Sequence, residues 1–399
     1  MKKLLGVYVF FLVVLWIYFG WFYELDTYAD SRYAAYRHAY SFTQLTFPWI
    51  VLMSFIIMDW HKGILDRIEN RFKKKWIQSF VFGVVFMTAL QLIAFPLDGI
   101  GYTMAKAASI SHQPIGDWLV EWCIQSALFI VVIAVLIAVF RSIVSKFPHK
   151  WWLVLWLTSL PIAFFIIYVQ PIWIDPLFED FTSLEAGSLK DSIVELAGEA
   201  GIEEDHIFQV NMSEKTRTFN AYVTGIGGQK RIVLWDTMLN GMSQNEVLFI
   251  LAHEIAHYVK HHVYIGVAGY LLLSFVLLWS LARIYSFVYR NGKERLGLRE
   301  RSDLRSVPIL LLVVTLLMFA TQPINLYVSR VMERAADRYA IEHTDDLQPA
   351  LESYQALAKE SKSDLSPYKW IVWLRYTHPP LGERIERIQS EMEQQERNN

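Results

Sequence analysis

His253, Glu254 and His257 spell the pattern H-E-x-x-H. Four residues apart on a helix, the two histidines project from one face, so both imidazoles reach a single metal ion. Glu254 lies about 60° around the helix from His257 at roughly 100° per residue, close enough to act on a water at that ion without being a ligand. Two imidazoles suit zinc, which lowers the pKa of its water towards about 7 so that a nearby carboxylate takes the proton. Such a short pattern also arises by chance, so its surroundings decide.

A catalytic zinc takes three protein ligands and keeps a fourth position open. Glu333 is the candidate third ligand, and Asp337, four residues on and on the same helix face, is placed to accept a hydrogen bond from a ligand imidazole and fix its tautomer. On a plainer reading, Glu333 and Asp337 merely alternate with Arg330, Arg334 and Arg338 as a solvated, ion-paired face. Position favours the metal. His257 stands about 9 Å along a helix ahead of an apolar stretch that begins at Val263, and Glu333 a similar distance beyond the next one. Consecutive spans with a short connection pack antiparallel, which brings both sites to one membrane face.

The elements that must position these residues are mostly membrane helices. At 54% hydrophobic and 15% aromatic over 399 residues, the chain is too apolar for one ordinary soluble domain. A bilayer core of about 30 Å takes about 20 helical residues, and seven stretches are candidates: 5–22, 47–58, 76–96, 122–140, 151–173, 263–282 and 307–328, the second being short. Trp76, Trp122, Trp151, Trp152 and Trp173 stand at span ends, where amphipathic rings favour the headgroup level. The first stretch follows Lys2 and Lys3 and runs into Trp21, Phe22, Tyr23 and Glu24 with no small-residue cleavage site, so it reads as an uncleaved anchor. Membrane lipids are therefore expected partners. A net charge of -2 gives no electrostatic reason to expect nucleic acid, and the single Cys123 forms neither an intrachain disulfide nor a multi-cysteine metal site.

Two segments are polar enough to face water, which divides the chain into 1–174, 175–262, 263–328 and 329–399. Within the first polar segment, 184–200 reads as an amphipathic helix, 206–212 as a strand, and 219–224 with 230–235 as a hairpin around glycine-rich residues 225–228. Ser243 followed by Glu246 is a capping box that opens a helix running into the sixth span. His261 and His262 read as interfacial, and His38, His61, His112, His149, His206 and His343 as solvated or satisfied side chains.

Several further blocks accompany the metal residues: Pro171, Ile174, Pro176, Leu177 and Phe178; Asn220, Ala221, Tyr222 and Gly225; Lys230 to Leu234 with Asp236 and Thr237; and Thr377, His378, Pro379, Pro380, Arg384 and Ile385. Together they resemble the CAAX prenyl protease type 1 family of integral-membrane zinc metalloproteases. The resemblance implies a mainly α fold: a seven-transmembrane-helix barrel enclosing a chamber, with a small α+β zinc-metalloprotease cap. It implies peptide substrates, hydrophobic or lipidated. By that resemblance, Asn220 and Ala221 bind substrate on an edge strand that pairs with its backbone. His378 stabilises the oxyanion, and Arg384 holds substrate or the site's architecture. Taken alone, Asn220 reads as a turn-side polar residue and His378 as a helix-start residue ahead of two prolines.

A heat-shock-type membrane metalloprotease would share the histidine motif and downstream glutamate, but with about four spans. A transporter or receptor carrying the motif by accident would place ionisable residues within several spans, and these spans are nearly free of them. Charge also orients the chain in its membrane, the cell membrane for a bacterial host. Lys2 and Lys3 and the loops after the second, fourth and sixth stretches are rich in Lys and Arg, whereas the loops after the first and third hold Arg32, Arg37 and Lys106. Positive charge stays cytoplasmic on insertion, so the N-terminus is expected inside and the metal site outside. The family precedent, a metal domain facing the cytosol, is the opposite.

Overall fold

Long apolar helices dominate the first half of the chain and return before its last segment. The computed structural model describes residues 1–199, 201–225 and 231–398. The chain opens with α1 (Lys2–Ile17), whose last turn widens at Tyr18–Phe22. Then come α2 (Tyr33–Met58), α3 (Trp60–Arg71), α4 (Lys75–Ala107), α5 (Ile115–Lys146) and α6 (Trp151–Val169). Strand β1 (Phe181–Ser183), α7 (Ser188–Glu199), β2 (Ile207–Val210), β3 (Ala221–Thr224), β4 (Arg231–Trp235), α8 (Asp236–Gly241) and α9 (Gln244–Val259) build the first polar segment. The chain closes with α10 (His262–Leu296), α11 (Val307–Glu342), α12 (Gln348–Glu360), α13 (Lys369–Arg375) and α14 (Leu381–Asn398).

Among the described residues six helices are long and apolar enough to cross a membrane: Lys2–Phe22, Tyr33–Met58, Lys75–Ala107, Ile115–Lys146, His262–Leu296 and Leu304–Glu342. A further helix, Trp151–Phe165, is apolar but shorter. Side chains such as Val7, Phe10, Leu272 and Met318 are exposed on these helices, as lipid-facing groups must be. The expected span at 47–58 is only the second half of α2. Its first half looked polar, but Ser41, Thr43 and Thr46 return their hydroxyls to carbonyls four residues back at 2.8, 2.9 and 2.9 Å, which satisfies them within the helix. Gly83 lets α4 and α5 touch: a Cβ there would lie 2.7 Å from Cα of Ala134.

The basic loops meet at the end of the bundle away from the polar segments. Arg305 pairs with Asp66 at 2.5 Å and Arg299 with Glu69 at 2.9 Å, Lys75 faces Glu300 at 3.5 Å, and Arg301 donates to the Pro148 carbonyl at 3.2 Å. Connections after α2, α5 and α10 are thereby tied together.

The sheet runs β1-β2-β4-β3, with β1 antiparallel to β2, β2 parallel to β4, and β3 antiparallel to β4 as the free edge. Residues 226–230 of the expected glycine-rich turn, with Lys230, lie outside the described residues. Helix α9 opens on the Ser243 capping box, worth about 1 kcal/mol. Its Val247, Leu251 and Ile255, spaced by four, are fully buried against the sheet, α7, α12 and α14. Each contributes about 1.5–3 kcal/mol. The helix does not run into the sixth span as expected. His261 takes a left-handed φ of 59°, ending α9 at Val259 and restarting the chain as α10.

Candidate metal centre

The stripe that anchors α9 leaves His253 and His257 on an adjacent face, directed at α11. Nε2 of His253 and Nε2 of His257 lie 3.3 Å apart; Glu333 brings Oε2 to 3.2 Å from the first and Oε1 to 3.5 Å from the second. Three atoms bound tetrahedrally to zinc at 2.0–2.2 Å stand about 3.3–3.6 Å from one another, so the separations fit a zinc ion at their centre. The donor chemistry agrees. Oε2 of Glu333 is buried and turned towards ring nitrogens alone, those of His253 at 3.2 Å and His378 at 3.3 Å.

Each imidazole is held from behind. Nδ1 of His253 lies 2.9 Å from Oδ1 of Asp337. Arg384 grips Asp337 with Nε on Oδ2 at 3.1 Å and Nη2 on Oδ1 at 2.5 Å. The Tyr354 hydroxyl donates to Oδ1 at 2.8 Å and accepts from Arg384 at 2.6 Å. Asp337, Tyr354 and Arg384 are all buried. The sequence pointed to Asp337 and Arg384 but not to Tyr354, which comes from α12. His262 is likewise buried rather than interfacial: its Nδ1 sits 3.1 Å from Nδ1 of His257 and fixes that ring. Its only sequence signal is the spacing of five from His257, which no helix face explains because the chain turns at His261.

Electrostatics follow from this packing. Burial disfavours charge on His253, but hydrogen bonds to Asp337 and Glu333 outweigh it and hold the ring up at about 9. Burial and the nearby His253 press His257 down to about 4, and burial pushes the Glu254 carboxyl up to about 7.

Glu254 lines a cavity of about 260 Å³ together with His253, Asn220, Ala221, His378 and Arg384. Asn220 is exposed at the start of the edge strand, its carbonyl accepting from the Trp235 N–H at 3.1 Å, and Ala221 is paired with Leu234. His378 follows α13 with its side chain half exposed; Nε2 lies 3.3 Å from Oε2 of Glu333, and Nδ1 meets the Thr377 hydroxyl at 2.9 Å. The expected site residues thus lie together, with Arg384 both at the cavity wall and bonded to Asp337.

Residues 183–392 match the family model described as Peptidase family M48, and residues 21–180 match the one described as CAAX prenyl protease N-terminal, five membrane helices. An uncharacterized metalloprotease of Bacillus subtilis, YhfN, is 37% identical over 361 residues, covering 90% of this chain and 85% of that protein. CAAX prenyl protease 1 of Saccharomyces cerevisiae is 29% identical over 331 residues, 77% of this chain and 71% of its own. In fold, the crystal structure of Ste24p from S. mikatae matches with a TM-score of 0.79 at 24% identity, covering 96% of both chains. The M48 family implies a metal, and the chain belongs to peptidase family M48, as a multi-pass membrane metalloprotease of the CAAX prenyl protease kind.

Proposed function

We propose that the protein is a zinc metalloendopeptidase that cuts peptides presented at or within the membrane, hydrophobic or lipidated ones among them. The observation that carries this is the mutual spacing of His253, His257 and Glu333 at the wall of a cavity that also holds Glu254 and a free strand edge. A zinc ion held there supplies Lewis acidity to a water and to the substrate carbonyl. The chain's own residues do the rest. Substrate backbone pairs along the β3 edge at Asn220 and Ala221, which extends it across the cavity. Glu254 takes the proton of the attacking water and delivers it to the leaving amine. His378, with Nδ1 accepting from the Thr377 hydroxyl, carries its proton on Nε2 and donates it as a hydrogen bond to the carbonyl oxygen gaining charge. Asp337, steadied by Arg384 and Tyr354, keeps His253 in the tautomer that leaves Nε2 for the metal.

In this reading α6, prolonged by the wide turn Gln170–Ile174, joins the six longer helices as a seventh span in the wall of a membrane chamber. The match over the five membrane helices favours this reading over the heat-shock type. The loops tied together by Arg305, Arg299 and Lys75 form the cytoplasmic end, with the metal site outside. Zinc-dependent cleavage of a quenched peptide by the purified protein, abolished by a strong chelator and restored by zinc, tests the activity. Cleavage that persists without metal would overturn it.

A further inference from the structure

Arg330 is buried, yet no carboxylate pairs with it among the described residues. It therefore stands on no solvated, ion-paired face, the plainer place that its spacing from Glu333 allowed. A buried guanidinium without a counter-ion is costly unless its donors are used. Here they are used on main chain: Nη1 donates to the Val372 carbonyl at 3.1 Å and to the Tyr376 carbonyl at 2.6 Å. About two turns earlier on α11, Nε2 of Gln322 donates to the Leu374 carbonyl at 2.6 Å. These carbonyls close α13 and begin the residues beyond it, where a helix leaves its own acceptors short of donors.

Thr377 and His378 come next and are exposed, whereas Pro379 and Pro380 are buried. An exposed ring is not aimed by packing around it, so its direction rests on the backbone at either side. After it, the prolines fix φ and restrict His378 itself. Before it, the Arg330 bond to the Tyr376 carbonyl holds the peptide group that joins Tyr376 to Thr377. Another tie on α13, Arg375 with Nδ1 of His38, whose Nε2 meets Asp364 at 2.9 Å, fixes the helix and not the peptide groups beyond it. Arg330 and Glu333 are neighbours on one helix surface. The element that brings Glu333 to the metal centre thus also sets where His378 stands, with Nε2 3.3 Å from Oε2 of Glu333. We propose that Arg330 is a positioning residue for peptide cleavage: through the Tyr376 carbonyl it aims His378 at the oxygen gaining charge. The inference rests on the peptidase reading above and on the role given there to His378.

The test is a double-mutant cycle on the full-length, zinc-loaded protein in phosphatidylcholine nanodiscs, with a quenched peptide as substrate. Misplacing a reacting group by about 1 Å costs up to about 100-fold. Arg330→Gln should therefore lower kcat by about 10- to 100-fold while KM and zinc content stay at wild-type values. Because Nη1 alone makes both bonds, the ammonium of Arg330→Lys should restore part of the rate. In a His378→Ala background, Arg330→Gln should change kcat by less than about 2-fold, since the group it aims is gone. If Arg330→Gln does not fold, judged by its melting temperature, Arg330→Met fills the space without a buried charge and enters the same cycle. Equal losses with and without His378 would overturn the proposal and leave the peptidase standing, as would a wild-type rate in Arg330→Gln or the loss of its zinc. A wild-type protein that holds zinc but cuts no peptide would overturn the peptidase, and the proposal with it.

Discussion

Nδ1 of His253 lies 2.9 Å from Oδ1 of Asp337 while Nε2 of the same ring faces Glu333 at 3.2 Å, so one imidazole is held between two carboxylates one turn apart on α11. Asp337→Asn keeps the shape but loses the charge that fixes the tautomer. Zinc affinity or turnover should drop by about 10- to 100-fold, as changes behind a ligand do. Isothermal titration with zinc checks it; unchanged affinity and rate would make the contact incidental.

Glu333→Gln removes a proposed ligand instead. Zinc measured by mass spectrometry on the purified protein should fall well below one ion per chain. Full metal content in this variant would return Glu333 to an ion-paired helix face.

His262→Phe tests a residue that the motif does not include. The ring still fills its buried place, but Nδ1 of His257 loses its partner at 3.1 Å. A loss in zinc affinity smaller than that of Asp337→Asn is expected, since a neutral acceptor is replaced rather than a charged one. No change in metal binding or rate would show that His257 is oriented by packing alone.

Much of this site was legible before any fold was known, for identifiable reasons. His253 and His257 share a face because four residues make about one turn, and Glu333 and Asp337 repeat that spacing just beyond a span. Tyr354, His262 and the His38–Asp364 pair were not legible, because their partners come from other helices or lie across the turn at His261. That turn was hidden too, since no glycine or proline marks the left-handed residue. The first half of α2 was lost to hydroxyl side chains that satisfy themselves along their own helix. His378 and Asn220 stood out only through the family resemblance, their local sequence being ordinary.

The proposed membrane orientation, with the metal site outside, rests on the distribution of charge. In a Cys123→Ser background, a cysteine at exposed Gln394 on α14 should react with an impermeant thiol reagent in intact cells, and one at Lys73 only after lysis. The reverse pattern would place the metal site in the cytoplasm.

The most direct test is Glu254→Gln. The substitution removes the base but none of the three ligands, so the purified variant should retain about one zinc per chain while peptide cleavage falls by at least about 100-fold. Cleavage at the wild-type rate with zinc in place would contradict the mechanism, and loss of the metal would show that Glu254 belongs to the ligand set.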